Sequence, residues 1–413
     1  MVDNHANSLE NRAGERLTDR IAIGVLTELL HRDLVDEVIA ECGRREQRVR
    51  LLPARVVMYF VLAMCLFYQD GYEEVMRKLV SGLRFLKTWR STWQVPTTGA
   101  ITQARVRLGE EPLQLLFERV AAPMARPGTA GAWLRSWRLM AIDGVQFDVP
   151  DTENNFEEFG KGSYKGVPGG FPQAKVVGLG ECGTHAIVAA NIGSLKVGER
   201  ELAEQLLPDF ESDMVVMADR GFYSFDFWKQ ARATGADLLW RASAKMDLPV
   251  LEILPDGSYL SVVADKPARR RYRERVQAGR SDATLEGIPV RVIEYEVTDR
   301  GGSGEIFCLI TSILDPEQAS AMELAATYHQ RWEFEVALAE IETYQRGPGR
   351  VLRSKSPAMV RQEIWALLLT HYAIRDLMRR AADDIQLDPD RLSFTRSLHV
   401  IRRQITDQAG FSP

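Results

Sequence analysis

Cysteine is scarce: the 413-residue chain has four, Cys42, Cys65, Cys182 and Cys308, all far apart. No CxxC pair and no His-x3-His spacing occurs, which excludes a disulfide framework and a zinc site and predicts buried free thiols. Long apolar runs are absent too. The longest, Val56 to Tyr68, has 13 residues, where a bilayer-spanning helix needs roughly 20; it predicts a buried helix and no membrane span. The polar, acidic start of the chain lacks the basic and apolar segments of a signal peptide, so a cytoplasmic protein with a disordered segment at 1–16 is expected. No GxGxxG follows a strand, and neither a Walker loop nor a GxSxG elbow occurs, which disfavours a metabolic enzyme. With 31 Gly, 18 Pro, 45% apolar and 26% charged residues, the composition is that of a folded chain, long enough for two or three domains.

Excess charge of either sign is also small, at −5, which by itself argues against a polyanionic partner. The distribution argues otherwise. Arg44 to Arg107 carries 12 basic residues against 4 acidic, Lys266 to Arg280 carries 7 against 1, and Thr343 to Arg380 carries 8 against 2. Clusters, more than net charge, bind phosphate backbones. With Tyr272, Trp365 and Tyr372 interleaved, these blocks point to nucleic acid.

From Leu17 to about Val120 the apolar spacing is helical, which predicts an all-α domain over 17–124. Pro96-Thr97-Thr98 offers an N-terminal cap before a helix over Ala100–Leu108, Gly109 stops it, and a further helix starts near Pro112. Two short helices about a glycine turn, with Arg105 and Arg107 on the first, resemble a helix-turn-helix DNA reader. After the Pro/Gly/Ala linker at 125–132, strand-like runs alternate with helical ones, as in an α/β domain over 133–345 with a mixed sheet. Within it, about 242–313 reads as a β-rich insertion that carries Arg269, Arg270 and Arg271. Helices return over 346–413, and the stretch Gln362 to Ala381 suits either packing or DNA contact.

Three carboxylates stand in informative settings. Asp143 ends the apolar strand 139–142 and Asp219 ends the strand 214–218, and sites of α/β sheets gather at the carboxyl ends of strands. The third, Glu335, lies on a helix with Tyr328 and Arg331; at about 100° per residue, positions 328, 331, 335 and 342 share one face. Carboxylates without a His or Cys partner suit hard divalent cations, Mg²⁺ or Mn²⁺. Two such ions serve in-line phosphoryl displacement, so phosphodiester chemistry on DNA is the natural reading. Asp148, Asp151, Glu333, Glu340 and Glu342 lie near enough in sequence to compete for these roles.

The Ile-Asp-Gly at 142–144, Ala-Asp-Arg-Gly-Phe at 218–222 and Tyr-x2-Arg-x3-Glu from Tyr328 to Glu335, together with the Arg-Gly-Pro-Gly stretch at 346–349, resemble bacterial insertion-sequence DDE transposases of the Tyr-Arg-Glu-Lys (insertion-sequence-4) type. The resemblance implies a ribonuclease-H-like catalytic domain interrupted by the β-rich insertion, with Asp143, Asp219 and Glu335 as ligands of two Mg²⁺ or Mn²⁺ ions. It implies a protein that binds terminal inverted repeats, cuts double-stranded DNA and joins it to target DNA, as a homodimer on DNA and nucleoid-associated when bound. Tyr328 and Arg331 would hold phosphate, and Trp332 would support a displaced base. The signature expects Lys seven residues after the Glu, where this chain has Glu342; either a neighbour such as Arg346 substitutes, or the protein is a weakened or inactive DNA-binding descendant.

Overall fold

The computed structural model describes residues 23–48, 50–81, 94–164, 167–243, 246–280, 284–298 and 304–406. The segment 1–16 expected to be disordered lies outside them. After a 3-10 turn at Gly24–Glu28 come α1 (Arg32–Glu41), α2 (Ala54–Leu66), α3 (Tyr72–Ser81), α4 (Thr98–Leu108) and α5 (Glu111–Val120). Then follow β1 (Trp133–Leu134), β2 (Trp137–Asp148), α6 (Glu153–Phe159), β3 (Lys161–Tyr164), β4 (Val167–Glu181), β5 (Ala186–Ser194), α7 (Glu199–Glu204), β6 (Met214–Ala218), α8 (Phe225–Ala233) and β7 (Asp237–Ala242). The chain continues through β8 (Glu252–Ile253), β9 (Tyr259–Val263), α9 (Lys266–Gln277), β10 (Ile288–Thr298), β11 (Gly304–Thr311), α10 (Ala321–His329) and α11 (Arg331–Ala339). A π-helical turn at Glu340–Gln345, α12 (Pro357–Asp384) and α13 (Phe394–Thr406) complete it. No helix of the described residues is long and apolar enough to cross a membrane.

Two compact units emerge, one of residues 1–122, 147–173 and 339–413, the other of 123–146 and 174–338. The N-terminal and C-terminal helical regions, expected as separate blocks, therefore belong to one unit. The reason lies in α2: every residue except Arg55 is buried, so the helix needs apolar walls all round, and α12 supplies one of them. The stretch 362–381 is accordingly packing surface. Trp365 and Tyr372, expected beside nucleic acid, are 5% exposed each, and the Tyr372 hydroxyl donates to the Ala122 carbonyl at 2.9 Å. Much of the third basic block is internal as well. Arg375 pairs with the buried Glu340, Arg379 with Asp376 and Asp383, and Arg353 donates to the Asp70 carbonyl.

The second unit is built on a mixed sheet. β2, β6 and β7 run parallel in that order; β11, β10, β9 and β8 continue it antiparallel, while β4 pairs with β2 and β5. The strands of 242–313 thus extend the central sheet instead of forming a sheet of their own. One face of it buries Met140, Ile142, Val216 and Ala218 under Leu202, Phe227 and Trp228 of α7 and α8. Side chains alternate along a strand, so Asp143 follows Leu139 and Ala141 to the opposite face. There α11 lies close to β4: a methyl group on Gly180 would collide with the Phe334 ring, and one on Gly178 would press more lightly on the same ring, at 3.3 Å.

Candidate active site

The sheet register aligns the strand-ending residues. Ile142 pairs with Ala218, and Ala218 with Trp240, in parallel ladders. The next residues, Asp143, Asp219 and Arg241, therefore stand in a row across three strands, in steps of about 4.8 Å. Arg241 Nη1 lies 3.9 Å from Asp219 Oδ1. Its guanidinium stacks 3.8 Å over the Phe307 ring and also pairs with Glu305. Sequence reading missed Arg241. Its signal was there, one residue beyond an apolar strand, but became visible only with the register.

The helical side of the site comes from α10 and α11. Ser320 opens α10 with a capping box to Glu323, and Asp256 accepts from the next backbone N–H, that of Ala321, at 2.7 Å. Arg331, 6% exposed, donates from Nη1 to Asp143 Oδ2 at 2.9 Å and from Nη2 to Glu335 Oε1 at 2.7 Å. Asp143 and Glu335, 192 positions apart in the chain, are thus joined through one guanidinium. Burial pushes the Asp143 carboxyl above its ordinary range and Glu335 adds to the rise, while the Gly144 N–H, 2.8 Å from Oδ1, and Arg331 oppose it. Tyr328 is 2% exposed, and its hydroxyl donates to the Ala218 carbonyl at 3.5 Å, one residue before Asp219. Burial raises its pKa.

The stripe expected from 328 to 342 is not one regular helix. The ladder breaks at Gln330, whose N–H bonds to the Thr327 carbonyl at 2.9 Å, and passes into the π turn at Glu340. Glu342, exposed, lies in that turn. The competing carboxylates have other partners: Asp148 accepts from Gln173 at 2.8 Å, Asp151 from Lys161 at 2.7 Å, Glu333 from the Gly183 N–H, and Glu340 from Arg375 and, at 2.8 Å, pairs with His371.

The expected DNA-contacting residues divide. Trp332 is half-exposed, with the Arg331 guanidinium 5.3 Å from its ring centroid. Arg270 and Arg271 are exposed, and Arg269 is half-buried. The pair α4 and α5 forms as expected, with the Thr97 hydroxyl accepting from the Ala100 N–H at 3.3 Å and Gly109 at φ +77°. Arg107 is exposed on it, whereas Arg105 is fully buried and is not placed to read DNA. Its guanidinium is held by Gln362 and Ser354, both at 2.8 Å, and by Tyr72 at 2.5 Å. Arg346 is 3% exposed, stacked 4.8 Å over Phe147 and bonded to the Arg350 carbonyl, so it is not a surface cation either.

The set of Asp143, Asp219 and Glu335 offers only carboxylate oxygens, the donors that Mg²⁺ or Mn²⁺ prefers, and positive charge already holds two of them together. A divalent cation fits that chemistry.

Comparison with known proteins identifies the family. The model for the N-terminal region of insertion element 4 transposases matches residues 20–118, and that for the transposase DDE domain matches 137–372. The chain is 28% identical over 391 residues to the transposase InsG for insertion sequence element IS4 of Escherichia coli K12, covering 94% of this chain and 84% of that protein. It is 25% identical over 194 residues to the putative transposase InsZ of the same organism, covering 47% of this chain and 62% of that protein. The matched DDE domain spans more than half of the chain and contains Asp143, Asp219 and Glu335, and the protein belongs to the insertion element 4 family of DDE transposases.

Proposed function

We propose that this transposase cuts and joins DNA with Asp143, Asp219 and Glu335 as its metal-holding carboxylates, on a ribonuclease-H-like fold. One observation carries the assignment: Asp143 and Asp219 each follow the register pair Ile142 and Ala218, while Arg331 ties Asp143 to Glu335. The fold reading is supported by the arrangement of β5, β4 and β2 beside the parallel β6 and β7.

Mg²⁺ or Mn²⁺, as a pair, would supply Lewis acidity to activate a water or 3′-hydroxyl and to stabilise the departing oxygen. The chain's own residues do the rest. The three carboxylates hold the site in place and compensate the positive charge brought to it. Arg331, which here pairs with Asp143 and Glu335, would be free to hold a DNA phosphate where bound cations supply that counter-charge, a task its planar fork suits. Tyr328 keeps the end of β6 in position, and Trp332 offers a ring on which a displaced base stacks. Arg241 restrains Asp219 from the other side.

DNA recognition falls to the helical N-terminal region, with Arg107 on α4 among its contacts, and to the exposed Arg270 and Arg271. Terminal inverted repeats and target DNA are its double-stranded partners. A homodimer on DNA supplies one active site for each end, and the protein is nucleoid-associated while bound. Nothing in the comparisons favours an inactive descendant, and Glu342 is taken as tolerated.

The test is incubation of purified protein with labelled DNA from the flanks of its own gene, with Mg²⁺ or Mn²⁺, resolved on a denaturing gel. Cleavage at the repeat boundary and joined products are expected, both abolished in Asp143→Asn, Asp219→Asn and Glu335→Gln while DNA retention persists. Cleavage retained in any one variant removes that residue from the site.

A further inference from the structure

The helix α9 is a surprise in a segment that reads as β-rich. Its twelve residues, KPARRRYRERVQ, include six basic ones, and none is buried. An amphipathic surface helix is ordinarily kept for its apolar face; here that face is only Ala268, Tyr272 and Val276, the first two half-buried and Val276 exposed, and it does not account for six basic residues. Asp265 caps it, accepting from the Ala268 N–H at 2.7 Å.

The charges are not scattered. At about 100° per residue, Lys266, Arg270 and Arg273 form one row, and Arg271 and Arg275 form another, the two rows roughly 150° apart. Between them on the outward side runs a strip of Pro267, Glu274 and Ala278, and these outward residues are exposed. The half-buried Ala268, Arg269 and Tyr272 mark the side turned toward the protein. Arg269 there is coupled electrostatically to the Tyr223 hydroxyl. Two outward pairs, Arg270 with Glu274 at 2.8 Å and Arg273 with Asp247 at 3.5 Å, lie in the open, where such pairs hold a side chain weakly.

We propose that α9 lies in the major groove of duplex DNA, its two basic rows on the phosphates of the two strands. A helix with its side chains is about 10–12 Å across and the major groove is about 12 Å wide, so a helix seated there meets a backbone on each flank. A helix resting along one backbone needs only one row. The strip of Glu274 and Ala278 then faces the base edges. The seat is sequence-tolerant, because phosphate contacts position a protein without reading bases. Arg269 drops out of the DNA-contact set, and Lys266, Arg273 and Arg275 enter it. This rests on duplex DNA being the partner of the chain.

The experiment measures the affinity of the full chain for a duplex from its gene's flanks across a salt series. The comparison is with Arg270→Gln/Arg273→Gln, with Arg271→Gln/Arg275→Gln and with all four changes. Each pair should flatten the slope of log affinity against log salt by about 1.8, and the four together by about twice that. Prior methylation of guanine N7, which obstructs the major groove, should weaken the intact chain by more than it weakens the four-site variant. Because Arg270, Arg271, Arg273 and Arg275 are all exposed, all variants should melt with the intact chain. A slope moved by one pair alone, by neither, or methylation that weakens both proteins equally or not at all overturns the groove seat. An intact chain that does not retain the duplex overturns the DNA reading itself, a distinct result.

Discussion

Arg331 is the residue on which the site turns. Its guanidinium bridges two carboxylates that would otherwise repel and offsets half of their charge, so without bound cations it acts as their counter-charge. Removing it while leaving the carboxylates costs stability in the manner of a broken buried pair, about 3 kcal/mol. Arg331→Gln is therefore expected to melt well below the intact chain, and added Mn²⁺ should raise its melting temperature by more than it raises that of the intact protein. Calorimetry with and without Mn²⁺ measures this, and equal shifts would show that Arg331 and the cation do not compete for the same charge. The placement of Asp143 and Asp219 at strand ends, and of Glu335 beside Arg331 on a helix, was legible in sequence because strand ends and helix spacing are local patterns. Arg241 was not, because its place beside Asp219 exists only after β6 and β7 pair in register. Arg105 shows the converse: a basic residue at the end of a reader-like helix looks like a DNA contact, yet Gln362, 257 positions away, claims its Nε.

Among the elements, the approach of α11 to β4 is what brings Glu335 within one guanidinium of Asp143. Gly180 permits it, since any side chain there would occupy the space of the Phe334 ring. Gly180→Ala should cost about 1–3 kcal/mol through overpacking and slow strand cleavage while DNA binding is kept. Trimming the ring in Gly180→Ala/Phe334→Leu should restore part of the rate, which single-turnover cleavage measures. The helix before it is fixed by a second device. Asp256 receives the Ala321 N–H and pairs with Arg291, a fully buried cation that also donates to the Ala319 carbonyl at 2.7 Å. Burial alone would raise the Asp256 pKa, but hydrogen bonds from Ser258 and Ala321 and the charge of Arg291 outweigh it and hold the carboxyl below its ordinary value. Its stabilisation is thus full above the ordinary aspartate range near 4 and disappears as the pH falls through the lowered value. Asp256→Asn should remove that acid dependence and cost about 3–5 kcal/mol by stranding Arg291; melting curves across the acid range check both. Strands such as 214–218 and 259–263 were readable from apolar runs alone. The helix α9 was not, because its charge hides the periodicity by which helices are recognised.

At the scale of the whole molecule, sequence order proved a poor guide to which helices share a core. A basic count over 343–380 suggested a nucleic-acid surface, but α12 is the wall that the almost wholly apolar α2 requires, and its Arg375 and Arg379 are paired inside. Fold class and chemistry were nonetheless readable, because a sheet ending in two aspartates and a helix bearing Tyr, Arg and Glu are short patterns with few alternative uses. Asp219 is the member whose convergence with the other two depends most on the register of β2 and β6. The most direct measurement is Mn²⁺ binding by electron paramagnetic resonance, in the presence of gene-flank DNA, for the intact chain and for Asp143→Asn, Asp219→Asn and Glu335→Gln. The account predicts that each substitution weakens binding and abolishes cleavage in the same sample. Undiminished Mn²⁺ binding and cleavage in Asp219→Asn would contradict a single site built from the three carboxylates.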